Sequence, residues 1–143
     1  MKNYLTAIVI TKNEEVNIGR CLSSVKFADE IIVVDSGSTD KTVTIAKRFN
    51  AKVYGRKFDD YAAQRNFAVS KASGEWILSL DADEEITEAL AKEIREVINK
   101  DDYDGYLIPR KNIIFGKEIK YTRSKGVLIP TPGIIGKGGS EPF

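Results

Sequence analysis

Two carboxylates, Asp81 and Asp83, stand at the end of the run Trp76-Ile77-Leu78-Ser79-Leu80. An apolar run of that length reads as a buried strand, and residues i and i+2 of an extended chain point to one side. Paired carboxylates at a strand's carboxyl end are hard oxygen donors that can share one divalent cation, and a cation so placed serves to hold phosphate oxygens. The chemistry this suggests is metal-dependent handling of a phosphorylated substrate. A second strand-like run, Ile31-Ile32-Val33-Val34, ends at Asp35-Ser36-Gly37-Ser38-Thr39-Asp40. Asp35 is placed there either to accept hydrogen bonds from a base or ribose at the ligand edge of a sheet, or to close the turn and cap the next helix. Arg65, within Ala63-Gln64-Arg65-Asn66-Phe67, offers a planar fork to a base carbonyl or a phosphate, or is a surface cation. Glu84 and Glu85 fit the acid-rich start of a helix. The chain has no histidine, which removes the commonest general base and any His-ligated metal and leaves proton transfer to carboxylates.

These residues need strands and helices to position them. The chain has 143 residues, 42% hydrophobic and 30% charged, one domain's worth of soluble globular sequence. Its 22 basic and 21 acidic residues nearly cancel, so charge gives no reason to expect a nucleic-acid partner. The single cysteine, Cys21, excludes an internal disulfide and fits a reducing, cytoplasmic compartment. It also falls on an apolar helical stripe and reads as core. No apolar run approaches the roughly 20 residues of a membrane span.

Five runs read as strands: Leu5–Ile10, Glu30–Val34, Ala51–Tyr54, Trp76–Leu80 and Gly105–Pro109. Helical periods lie between them. Ile18, Cys21, Leu22 and Val25 form one stripe behind Asn13 as N-cap. Val43, Ala46 and Phe49 form another behind Ser38-Thr39-Asp40. A third helix runs from Tyr61 to about Lys71 and stops toward Gly74, and Ile86, Leu90, Ile94, Val97 and Ile98 mark a fourth. Alternating strands and helices predict an α/β fold with right-handed crossovers and a mostly parallel sheet. Residues 1–123 form the expected domain. Residues 124–143 hold five of the eleven glycines and three of the four prolines and read as an irregular tail.

Four segments taken together carry a resemblance: Ala7-Ile8-Val9-Ile10-Thr11-Lys12-Asn13-Glu14-Glu15, Ile32-Val33-Val34-Asp35-Ser36-Gly37-Ser38-Thr39-Asp40, Ala63-Gln64-Arg65-Asn66-Phe67-Ala68 and Trp76-Ile77-Leu78-Ser79-Leu80-Asp81-Ala82-Asp83-Glu84. In this order and spacing the chain resembles the inverting nucleotide-sugar glycosyltransferases of family 2, with the GT-A fold, and within them the bacterial branch that glycosylates lipopolysaccharide core. The resemblance implies a three-layer, Rossmann-like sandwich. It implies that Thr11, Asn13, Glu14 and Ser36 border the nucleotide, that Asp35 binds the base and that Arg65 binds the base or diphosphate. Asp81 and Asp83 would form the DxD motif, holding Mg²⁺ or Mn²⁺. The implied partners are a nucleotide-sugar donor, with UDP as the nucleotide, and a saccharide or lipid-linked saccharide acceptor at the inner face of the membrane. Peripheral membrane association and homo-oligomerisation stay open. In this family the base-bearing and acceptor-binding segments follow the DxD strand. No segment up to Phe143 resembles them, so the expectation is a nucleotide-binding half with the catalytic base unassigned.

Two other readings compete. A nucleotide-binding module without transfer would need no base. A haloacid-dehalogenase-like phosphohydrolase also follows an apolar strand with Asp-x-Asp, but near its N terminus, whereas three strands and three helices precede Asp81 here.

Overall fold

Runs rich in Val, Ile and Leu form the central strands because their branched side chains suit a pleated surface buried on both faces. The computed structural model describes residues 4–100 and, beyond them, the backbone of residues 105–107, 122–123 and 134–137. The order is β1 (Leu5–Thr11), α1 (Ile18–Ser24), β2 (Glu30–Asp35), α2 (Thr42–Lys47), β3 (Lys52–Gly55), α3 (Tyr61–Lys71), β4 (Trp76–Asp81), α4 (Glu88–Lys100), β5 (Gly105–Leu107), β6 (Thr122–Arg123) and β7 (Ile134–Lys137). The strands form one sheet in the order β3-β2-β1-β4-β7-β5-β6. The first four are parallel, and β7 runs antiparallel to β4 and β5.

Alternate side chains of the strands serve two faces, which gives three layers. Leu5, Ala7 and Val9 of β1, Ile31 and Val33 of β2, and Trp76, Leu78 and Leu80 of β4 pack with α1, α2 and α4. Ile8, Ile32, Val34 and Ile77 turn to the other face, against Ala68 and Phe67 of α3. The stripe on α4 is fully used: Leu90, Ile94, Val97 and Ile98 are all buried. Each such side chain contributes about 1.5–3 kcal/mol on leaving water. Among the described residues no helix is long and apolar enough to cross a membrane.

Three parallel strands run one residue beyond the apolar pattern, so that polar residues occupy their last positions. Thr11 pairs with Asp35, and Ile10 with Asp81, at the carboxyl edge of the sheet. From β1 the order goes to β2 and β3 on one side and to β4 on the other. Such a reversal opens a crevice outside the strand ends.

The opposite edge is closed by the buried carboxylate of Glu30. It accepts hydrogen bonds from Lys52 Nζ (2.6 Å), Thr6 Oγ1 (2.8 Å) and the Ser73 amide (2.8 Å). There Gly74 comes so close to β1 that a Cβ would lie 2.6 Å from Thr6 Oγ1 and 2.8 Å from the Thr6 nitrogen. Gly74 therefore serves a close approach and not the end of α3, which the chain leaves at Ala72 in an extended conformation.

Other local expectations are corrected. Asn13 does not cap α1, which starts after Asn17. Asn13 adopts the left-handed conformation (φ 51°), and its side-chain Oδ1 accepts the Thr39 amide. Glu84 lies before α4 and is buried, not spread on the first helical turn, where Thr87 Oγ1 accepts the Leu90 amide. Residues 134–137, read as part of an irregular tail, form β7. The three prolines flank Ile134-Ile135-Gly136-Lys137 without interrupting it, and the free edge of β4 supplies ladder partners. Residues 124–133 and 138–143 and the extension of β5 to Pro109 lie outside the described residues.

Candidate functional site

A cleft of about 390 Å³ opens at the carboxyl edge of β1 and β4, lined by Ile10, Thr11, Lys12, Glu14, Ser36, Phe58, Tyr61, Asp81, Ala82 and Asp83. Its floor is the end of β1. Thr11 is buried, and its Oγ1 has no hydrogen-bond partner among the described residues. A buried hydroxyl without a partner is costly unless something else satisfies it. Here it belongs to a residue that lines the cleft.

The β4 side is acidic and shaped by a tight turn. Glu84, fully buried, accepts the Asp81 amide at 2.7 Å, and its own amide donates to the Asp81 carbonyl at 3.0 Å. This turn leaves Asp83 exposed and Asp81 half-buried, both on the cleft. The acids act on the thiol beneath them. Burial first, then the charges of Glu84, Asp83, Asp81 and Glu14, push Cys21 far above the usual thiol range. Cys21 therefore stays protonated, and its Sγ contacts the Asp81 carbonyl at 3.5 Å. This is the packing role expected for it.

The opposite rim is built by two loops bonded to each other. The Asn13 amide donates to Ser38 Oγ, the Glu14 amide to Thr42 Oγ1 and the Glu15 amide to Asp40 Oδ2. The hydroxyl and amide of Thr42 both donate to Asp40, and the hydroxyl bond leads in holding that carboxyl below the usual range. Asp35, 5% exposed, is occupied by its own turn. Its Oδ2 accepts the amides of Gly37 (3.1 Å) and Ser38 (2.9 Å), and its Oδ1 accepts the Ser38 hydroxyl. Gly37 takes a positive φ of 87°, which a side chain would strain. The residue of this turn that reaches the cleft is Ser36. Its Oγ accepts from Gln64 Nε2 (2.9 Å), while Gln64 Oε1 accepts from Arg56 (2.6 Å).

The structure thus gathers Thr11, Glu14, Ser36, Asp81 and Asp83 around one cleft. Asn13 and Asp35 lie behind its rim and fix the loops, and half-buried Arg65 is not among the lining residues. The buried α3 residue that reaches the strand ends is Gln64. Lys12, Phe58, Tyr61 and Gln64 are not marked out by residue type or spacing in the sequence. The available signal for the aromatics was their presence in an otherwise charged segment, Arg56-Lys57-Phe58-Asp59-Asp60-Tyr61.

Among the described residues no three His, Cys, Asp or Glu side chains form a group that could hold a metal ion alone. One or two carboxylates suffice for a hard cation that keeps its waters and shares phosphate oxygens. Asp81 and Asp83 fit that case, in a cleft whose acids would otherwise repel an anion.

Comparison with known proteins agrees with this fold. Residues 6–137 match the family described as Glycosyl transferase family 2. An uncharacterized glycosyltransferase of Rickettsia bellii is 46% identical over 104 residues, covering 72% of this chain and 35% of that protein. The lipopolysaccharide core biosynthesis glycosyltransferase LpsC of Rhizobium meliloti is 32% identical over 118 residues, 78% of this chain and 44% of LpsC. Among solved structures, S. aureus TarS residues 1–349 in complex with UDP superposes with a TM-score of 0.63 at 30% identity, over 71% of this chain and 34% of that one. The mannosyltransferase PcManGT of Pyrobaculum calidifontis, in complex with GDP-Man and Mn²⁺, gives 0.60 at 26% identity, over 75% and 35%. The chain spans about a third of the length of the rickettsial relatives it matches.

Proposed function

The chain belongs to glycosyltransferase family 2, and from that premise we propose that its carboxyl-edge cleft binds the nucleoside diphosphate of a sugar donor together with a divalent cation. The observation that carries this reading is the placing of Asp81 and Asp83 on the cleft beside the unpartnered Thr11 hydroxyl, at the point where the strand order reverses. Asp81 and Asp83 would hold Mg²⁺ or Mn²⁺ as a DxD motif. When bound, that cation neutralises charge on the diphosphate as it leaves the sugar.

The chain's own residues bind and orient. Lys12 supplies a cation to the phosphates, and Thr11 supplies a buried hydroxyl. Ser36, fixed by Gln64, faces the nucleoside end of the cleft. Glu84 holds the Asp81 turn closed, so that the two carboxylates need little reorganisation on binding. UDP is the nucleotide we assign, supported by the UDP complex of TarS. The Mn²⁺ complex of PcManGT supports the cation. Inverting transfer to a saccharide acceptor in cell-envelope polysaccharide synthesis is the activity we assign to the protein, and the similarity to LpsC supports it.

Calorimetry tests this reading. UDP should bind in the presence of Mn²⁺, and EDTA should abolish binding. Asp83→Ala, at an exposed position, should leave the melting midpoint unchanged and weaken UDP–Mn²⁺ binding by about tenfold or more, the worth of one charged interaction. Equal affinity without metal, or in the variant, would contradict the assignment.

A further inference from the structure

Phe58 and Tyr61 are large aromatic side chains left 43% and 60% exposed. Both line the cleft. Their rings meet edge to face, with centroids 5.2 Å apart and planes 77° from parallel. We infer that this pair is the platform on which the donor's nucleobase stacks. The inference rests on the reading of the cleft as a nucleoside-diphosphate site.

The loop that carries the two rings is firmly built. Arg56 bonds through its amide to the Asp35 carbonyl at 2.9 Å, through Nη1 to Gln64 and through Nη2 to Asp59 at 3.1 Å. Its guanidinium lies over the Phe67 ring, 5.6 Å from the centroid. Asp60 then caps α3 by accepting the Ala63 amide at 2.7 Å, which sets Tyr61 as the first helical residue. Two apolar rings held in water by a salt bridge, a buried glutamine and a helix cap make a preorganised surface for a flat, partly apolar ligand.

The cleft has two chemically different ends. Asp81 ends β4 and Asp83 follows it, whereas Ser36 follows β2, Phe58 lies in the connection from β3 to α3 and Tyr61 opens α3. With β1 between them, β2 and β4 are about 10 Å apart. That separation is comparable to the reach of a nucleoside from its base to its diphosphate. A ligand with an aromatic end and an anionic end carried on a divalent cation matches both. Stacking on an exposed ring requires only a π face and a small loss of side-chain freedom.

The test compares UDP with inorganic pyrophosphate, both in Mn²⁺, by calorimetry on the full chain and on Phe58→Ala, Tyr61→Ala and Tyr61→Phe. Phe58→Ala and Tyr61→Ala should each weaken UDP by about tenfold, within the range for loss of one stacked base. Pyrophosphate affinity should stay unchanged, and Tyr61→Phe should bind UDP as the parent does. UDP affinity unchanged in both alanine variants would overturn the inference while leaving the proposed function intact. Equal losses for UDP and pyrophosphate would overturn it too, because they would mark a general disturbance of the loop. A parent chain that binds neither probe would overturn the proposed function and this inference with it.

Discussion

Asp35 shows how one residue type at a strand end admits two roles. A strand-end aspartate beside Ser-Gly-Ser can meet a ligand or close its own turn. Here three donors from Gly37 and Ser38 converge on its carboxylate. Asp35→Ala should therefore cost about 1 kcal/mol of stability, because the two amides and the hydroxyl of this part-buried turn lose their acceptor. Urea unfolding measures this, and an unchanged midpoint would contradict the turn-closing role. The place of Asp81 at the strand end was readable from sequence because the apolar run stops there, whereas Asp83 reaches the cleft through the turn closed by Glu84 and not by strand alternation. The place of Arg65 was not readable. α3 carries small and polar residues on most of its surface, so its sequence does not state which face lies on the sheet, and it is Gln64 and Ala68 that are buried there.

At the scale of elements, the two ends of the sheet do different work. The amino end is locked by Glu30, which joins β2 to β1, to β3 and to the turn before β4. Burial raises the proton affinity of this carboxyl. The hydrogen bonds from Lys52, Ser73 and Thr6 and the charge of Lys52 outweigh burial and hold it below its ordinary value. A carboxyl whose folded pKa is depressed stabilises the fold above its unfolded value, near 4.3, and that contribution is lost as pH falls through the folded value. Glu30→Gln should be less stable than the parent at neutral pH, and the difference should shrink below about pH 4. Urea midpoints measured across that range check this, and a difference independent of pH would contradict it. Strand and helix identities were legible because apolar periods of two and of 3.6 are physically distinct. Strand ends were not, since Thr11, Asp35 and Asp81 are polar yet still pair in the ladder. β7 was hidden for a related reason: a four-residue strand between prolines is specified by the open edge of β4, not by its own pattern.

At the scale of the molecule, the order β3-β2-β1-β4 determines where ligands can bind, and the motifs that carried the resemblance all border that one edge. The acids stand at and just after the end of β4, the serine turn follows β2, and the two loops that form the rim are zipped together by side chains from both. The proposed nucleoside diphosphate and its cation would sit at this edge. The most direct test is paramagnetic broadening by UDP–Mn²⁺ in amide spectra of the labelled protein. Signals of Thr11, Lys12, Ala82 and Asp83 should disappear first, whereas those of Glu30, Lys52 and Ser73 at the opposite end should persist. Broadening centred on the Glu30 end, or spread evenly through the sheet, would contradict the central claim.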